Sequence, residues 1–407
     1  MFVIFVSPFL RKDTPLFVEA LLRIEGIRLA VISPKSDEEL PGDFVDRLCG
    51  SWQVRDLMNT DELHWAALRL SERFGPIHRF LTENEHIQMP VSEARSRLNI
   101  EGMEPDITMN FRDKARMKER LRAYGLPCAR YRCVTEPEQA FEFVREVGYP
   151  VIVKPVDGAA SQSTYRVEGD RDLEGVLQAS DPSWSHPIQV EEFVLGEEHS
   201  FETMTLNGEH LWHSITRYTP TPLDVMRNPW IQWRIVTPRE IDVPEYDDIR
   251  EVGRRALDAL GMTTGLSHLE WFRRKDGSIA IGEVGARPPG SQIFTAMNWA
   301  NDYDMYVAWT RLMVVGQFTP PAERKYAVGT AFLRGLGNGQ VRNVSGLDYV
   351  LRQLGEMVVE TKVPQPGQNS GVTYEGEGYV MVRHPSTKVV EDALQTIVSN
   401  VRVELSH

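Results

Sequence analysis

The stretch 268-HLEWFRRKDGSIAIGEVGARPPG-290 sets Glu270 and Glu283 on either side of Asp276-Gly277, with Arg287 four residues beyond the second acid. Asp-Gly between alternating apolar residues is a strong hairpin signal, and a two-residue type I′ turn is the expectation. Lys275 then faces Ser278, and every cross-strand pair has residue numbers summing to 553. Glu270 lies opposite Glu283, Phe272 opposite Ile281, and Arg274 opposite Ile279. Like charges placed that way, with Cβ atoms about 4.5–5.5 Å apart, destabilise a sheet unless something offsets them.

Two acids on a largely apolar face need a cation, or one of them must hold its proton. Carboxylates converging from adjacent strands suit Mg²⁺, which takes one or two protein carboxylates and leaves its other positions to phosphate and water. Spacing alone equally allows a solvent-facing pair neutralised by Arg273 or Arg274, and a one-residue bulge would break the pairing. Arg287 shares parity with Glu283, so an extended chain carries it to the same side. Pro288 and Pro289 end the strand, and Gly290-Ser291 can open a helix.

The 407 residues call for two or three domains. A net charge of −13 speaks against nucleic acid or an anionic membrane as the main partner, since both demand clustered Lys and Arg. Cys49, Cys128 and Cys133 have no metal-like spacing, and buried free thiols in a cytoplasmic protein are the expectation. The opening MFVIFVSPFL has no positive charge ahead of it and reads as a buried first strand.

Residues 1–105 read as a parallel βαβ domain: strand 2–6, helix 16–25, strand 27–32, a long helix from about 61, and a strand ending near 82. It lacks GxGxxG, so dinucleotide binding is not supported. Residues 106–316 form the central unit and 317–407 a C-terminal α+β lobe. Within the central unit, 112-RDKARMKERLRAYGLP-127 is a charged amphipathic helix closed by Gly125 and Pro127. A helix over 137–148 leads into 149-YPVIVKPVDGAASQSTYRV-167, strand, small-residue loop and strand. Asn207-Gly208 marks a hairpin within three strand-like runs over 187–218. Helices are expected over 249–260, 301–316 and 387–401.

In this order the residues resemble the ATP-grasp superfamily of carboxylate–amine and carboxylate–thiol ligases, over about 106–300. The resemblance implies an α/β architecture: a parallel N-terminal domain, an ATP-grasp body with a mobile lid at about 135–200, and the C-terminal lobe. It implies ATP and Mg²⁺ as cofactors, with Mn²⁺ as a substitute. Lys114 and Lys154 match the phosphate-contacting lysines, and Ser161 and Ser163 fall in the phosphate-covering loop. Glu191 and the backbone of Glu192, Phe193 and Val194 would hold adenine, and Glu198 the ribose. Glu270 and Glu283 match the metal acids, and Arg287 the arginine that steadies the transferring phosphate. The implied substrates are a small carboxylic acid and an amine, amino acids foremost, and homodimers are common in this group. Gly290 and Ser291 are placed for a substrate carboxylate or acyl phosphate. The irregular stretch 217-RYTPTPLDVMRNPWIQWR-234 supplies Arg217, Tyr218, Trp230 and Arg234 as candidate substrate contacts.

One departure narrows the resemblance. Many members read E-x-N-x-R, whereas this chain reads E-V-G-A-R, so Gly285 contributes no side chain. The same register places His268 opposite Gly285, free either to serve the metal–phosphate site or to bond a backbone carbonyl as a structural residue. An H-x-E strand followed by E-x-G-A-R is most similar to the L-amino-acid ligase group and to carnosine-synthase-like enzymes. Biotin-carboxylase-like bicarbonate activation and a catalytically silent nucleotide-binding protein are the alternatives.

Overall fold

The computed structural model describes residues 1–9, 14–40, 42–155, 165–371 and 373–406. The N-terminal strands β1 (Phe2–Val6), β2 (Arg28–Ser33), β3 (Gly50–Gln53) and β4 (Ile77–Leu81) form a parallel sheet in the order β3-β2-β1-β4. Every residue of β1 is buried, as a continuous apolar strand covered on both faces requires. A second sheet takes β5 (Tyr131–Val134), β6 (Val151–Pro155), β7 (Tyr165–Val167) and β8 (Ile188–Glu192), all antiparallel, in the order β5-β8-β6-β7.

The largest sheet has eight strands: β9 (Gly196–Leu206), β10 (Glu209–Thr219), β11 (Arg234–Thr237), β12 (Gly265–Arg274), β13 (Ile279–Gly285), β14 (Ala327–Leu333), β16 (Val358–Lys362) and β17 (Gly378–His384). Its order is β13-β12-β9-β10-β11-β14-β17-β16, so strands from either side of residue 317 share one sheet. The remaining pair is β15 (Gln340–Ser345) with β18 (Arg402–Ser406). Asn207 and Gly208 both have positive φ, 51° and 82°, the conformation a type I′ hairpin needs and these two residue types tolerate.

Alternation on this sheet creates the site. One face carries Phe201, Ile215, Leu269 and Trp271, all essentially buried against the helix Asp247–Leu260. Each such side chain contributes roughly 1.5–3 kcal/mol. The other face carries Glu198, Ser200, Glu202, His268 and Glu270, because residues two apart point the same way. The N-terminal domain is fixed nearby through Phe17, which packs edge-on against Tyr306 and Trp309 of the helix Met305–Val315.

Several expectations are corrected. Two helices stand here: Ile293–Asn301, which was not expected, and Met305–Val315, which lies within the run expected over 301–316. Residues 291 and 292 precede the first with φ of 52° and 60°, so Gly290-Ser291 lies ahead of the helix rather than opening it. The cysteines are unpaired, but none is buried and Cys133 is exposed. No helix among the described residues is long and apolar enough to cross a membrane.

Candidate active site

A cavity of about 760 Å³ opens where the N-terminal domain, the four-stranded antiparallel sheet and the large sheet meet. Its lining includes Lys114, Lys154, Glu191–Val194, Glu198, Tyr218, His268, Glu270, Glu283, Arg287, Gly290 and Ser291. Ser161 and Ser163 lie outside the described residues.

The two acids pair as expected: Glu270 faces Glu283, and His268 faces Gly285. The path to that pairing differs. Arg274 N–H bonds Ser278 O, and Gly277 N–H returns to Arg274 O, which closes a three-residue turn with Gly277 at φ 85°. Asp276 keeps negative φ, so the turn is not type I′. Trp271 therefore pairs with Ile281 and Phe272 with Ala280, one residue off the expected partners. A bulge at Gly282 then restores the register at Glu270–Glu283. Ile281 consequently points into the core rather than alongside the acids.

Each acid already has a cation near it. Lys114 Nζ is 3.3 Å from Glu283 Oε1, and His268 Nε2 is 3.6 Å from Glu270 Oε1. The Glu270 and Glu283 side chains remain 36% and 27% exposed, so their oxygens are reachable from the cavity. Among the described residues no three His, Cys, Asp or Glu side chains converge as a closed metal cage. That donor set fits Mg²⁺, which needs only one or two carboxylates.

His268 is not free to swing. Its Nδ1 is 2.8 Å from Glu202 Oε1, so the partner is a buried carboxylate and not a backbone carbonyl. Burial pushes the imidazole down, but the hydrogen bond to Glu202 and the neighbouring Glu270 carboxylate outweigh this and raise it to about 9.

The lysines meet at Glu191. Asp113 caps the helix Lys114–Ala123 by accepting from Ala115 and Arg116 N–H, both at 2.9 Å, which aims Lys114 and Lys118 along one face. Lys118 Nζ and Lys154 Nζ sit 2.6 and 2.8 Å from Glu191 Oε1. Burial would raise the Glu191 carboxyl, but the two ammonium groups bring it down to about 2. Glu191 is thus a lysine anchor. The N–H groups of Glu192 and Phe193 are already committed to Arg130 O and Pro150 O, at 2.9 and 3.2 Å. Burial first, then Glu270 and Asp224, raises Glu198 well above the usual carboxylate range.

Arg287 enters the cavity held by a residue that sequence reasoning did not single out. Its Nε donates to Glu85 Oε2 at 2.7 Å, and Arg112 Nη1 donates to Glu85 Oε1 at 2.6 Å. The N-terminal domain therefore contributes directly to the site.

The candidate substrate contacts divide. Tyr218 lines the cavity, and Trp233, Phe332, Tyr374 and Tyr379 wall the same end. Ser291 Oγ donates to Glu375 Oε1 at 2.8 Å. The structure does not bring Arg217, Trp230 or Arg234 there. Arg217 bonds Tyr246 and Arg234 bonds Gln395 on the opposite sheet face, as their parity dictates, and Trp230 is 68% exposed. Lys118, Glu85 and Glu202 were missed, as were Tyr374 and Glu375. Only Lys118 left a local signal, its spacing of four from Lys114.

Residues 119–300 match the ATP-grasp domain. The chain carries an ATP-grasp domain. The L-arginine-specific L-amino acid ligase of Bacillus subtilis is 25% identical over 274 residues, 66% of this chain and 64% of that protein. The chain thus spans just under two thirds of that relative. The crystal structure of an L-amino acid ligase from Bacillus licheniformis superposes with a TM-score of 0.81 at 18% identity, covering 100% of this chain and 99% of the other. A biotin carboxylase domain from Hydrogenobacter thermophilus superposes at 0.71 with 15% identity, covering 98% and 90%. These likenesses establish a shared ATP-grasp fold, within which substrates differ.

Proposed function

We propose that this ATP-grasp chain is a carboxylate–amine ligase that forms an amide through an acyl phosphate, releasing ADP and phosphate. The observation that carries the reading is the direct pairing of Glu270 with Glu283 on the wall that also presents Lys114, Lys154 and Arg287. A free carboxylate resists an amine because oxide is a poor leaving group. Transfer of the γ-phosphoryl group of ATP to the acid oxygen replaces it with phosphate, which the amine nitrogen then displaces.

In this reading Lys114, Lys154 and Arg287 supply fixed positive charge where negative charge builds. Glu270 and Glu283 would hold Mg²⁺, whose chemistry there would be to neutralise phosphate charge. Glu198 and the stretch 192–194 receive the ribose and base. Tyr218, Ser291 and the aromatic wall receive the acid and amine. Similarity to L-amino acid ligases favours amino acids as those substrates.

The test is phosphate release across pairs of amino acids and other acids and amines, with Glu283→Ala as the blank and product mass as the confirmation. Amine-dependent ADP formation with a condensed product is the expected result. ADP formed with bicarbonate and no amine would instead indicate a bicarbonate-activating enzyme, and ATP binding without turnover a silent nucleotide-binding protein.

A further inference from the structure

A polar row crosses the cavity face of the large sheet. Strand register pairs Ser214 with Glu202, Glu202 with His268, and His268 with Gly285. Arg324 closes the row by donating from Nη2 to Ser214 Oγ at 2.7 Å. The neighbouring row on the same face pairs Thr216 with Ser200, Ser200 with Glu270, and Glu270 with Glu283.

Glu202 is the anomaly of the first row. It is 0% exposed, its Oε1 meets His268 Nδ1 at 2.8 Å, and its Oε2 is buried without a hydrogen-bond partner. A buried carboxylate with one oxygen unsatisfied is costly, and a well-packed apolar residue would avoid the penalty. What the carboxylate supplies is a fixed acceptor for Nδ1–H. With Nδ1 tied, the imidazole cannot flip, and its Nε2 edge stays turned to Glu270, 3.6 Å away. Gly285, on the other flank of His268, offers no side chain that could hold the ring instead.

We propose that Glu202 is a positioning residue: it orients His268, and His268 holds the Glu270 carboxylate in the orientation that serves the metal–nucleotide complex. The inference rests on the reading of Glu270 as a metal acid. Groups that hold such ligands from behind typically change metal affinity or activity 10–100-fold when removed.

Two variants of the full chain separate contact from charge. Glu202→Asp keeps the charge but withdraws the oxygen by a methylene; Glu202→Gln keeps the reach. The readout is the Mg²⁺ concentration at half-maximal ADP binding, by calorimetry, beside kcat for ADP formation. Glu202→Asp is expected to raise that concentration about tenfold or more and lower kcat 10–100-fold, with Glu202→Gln within about threefold of the parent. In a His268→Ala background Glu202→Asp adds nothing further.

A loss of the same size in both backgrounds, or a lowered unfolding midpoint with the Mg²⁺ dependence intact, overturns the positioning role. If Glu283→Ala shifts the Mg²⁺ dependence and Glu202→Asp does not, only this inference fails. If neither shifts it, the metal assignment fails with it. Should the variants not fold, ¹⁵N-histidine NMR of the parent decides: Nδ1 must carry the proton with and without Mg²⁺ and ADP, and a bare Nδ1 ends the proposal.

Discussion

Lys118 Nζ, fully buried on the helix Lys114–Ala123, lies 2.6 Å from Glu191 Oε1 on β8 and so ties the body to the four-stranded antiparallel sheet. Burial pushes the ammonium down to about 8, with Glu191 pulling the other way. Lys118→Met keeps the length and removes the charge, leaving Glu191 with Lys154. Because one cation remains, the expected loss is about 1–3 kcal/mol, below the cost of stranding a buried charge outright. Urea unfolding should show a lower midpoint at unchanged slope. An unchanged midpoint would mean the pair contributes nothing net.

Glu85 sets an acid dependence. Burial acts to raise its carboxyl, but Arg287 and Arg112 outweigh it and bring it to about 2 from an ordinary 4.5. A depressed carboxylate contributes stability that is present above pH 4.5 and is lost as pH falls toward 2. The contribution is on the order of 3 kcal/mol. Glu85→Gln should flatten the fall in urea midpoint between about pH 5 and 3, relative to the parent chain. It should also lower the midpoint at neutral pH, because Arg287 and Arg112 lose their shared counter-charge. An identical acid slope in the variant would remove Glu85 from the account.

The hairpin shows how legible the site was and where legibility stopped. Counting across Asp276-Gly277 placed Glu270 opposite Glu283, yet the turn holds three residues and the bulge at Gly282 absorbs the extra one. Local chemistry fixed the existence of the hairpin, while the bulge depends on packing of Ile281 into the core. Glu85 and Glu202 act on Arg287 and His268 from 202 and 66 positions away in the chain. No periodicity encodes such distances. Arg217 and Arg234 went the other way, since composition marked the segment but only strand parity decides which side chains face inward.

Gly285 is not required to be glycine. A Cβ there would meet Arg287 Cγ at 3.6 Å and His268 O at 3.9 Å, ordinary contacts. Gly285→Ala should therefore stabilise by about 0.5 kcal/mol through the unfolded chain. Gly376 is the contrast: φ is 62° and a Cβ would stand 2.5 Å from Leu333 O. Gly376→Ala should cost about 2 kcal/mol or more. Paired thermal unfolding curves check the opposite signs. A destabilised Gly285→Ala would mean that the cavity wall beside Arg287 has no room for a methyl group.

Glu375 reaches the cavity on a loop braced from both sides. Glu377, 1% exposed, accepts N–H bonds from Gly335 and Gly371 at 2.8 Å each, which holds the backbone on either side of Tyr374 and Glu375. Glu375 itself accepts from Ser291 Oγ, at the end of the cavity walled by aromatic rings and away from Glu191. Glu375→Gln should raise KM for the acid or the amine about tenfold, the order expected for losing one charged hydrogen bond. ADP affinity should stay within about twofold, since the proposed reading gives the aromatic end of the cavity to the substrates. Glu377→Gln should weaken substrate binding too, but with a lowered unfolding midpoint, because it removes charge from two backbone contacts at once. If Glu375→Gln weakens ADP as much as it weakens the substrates, the loop belongs to the nucleotide end, and the cavity is not divided between an aromatic substrate end and a nucleotide end.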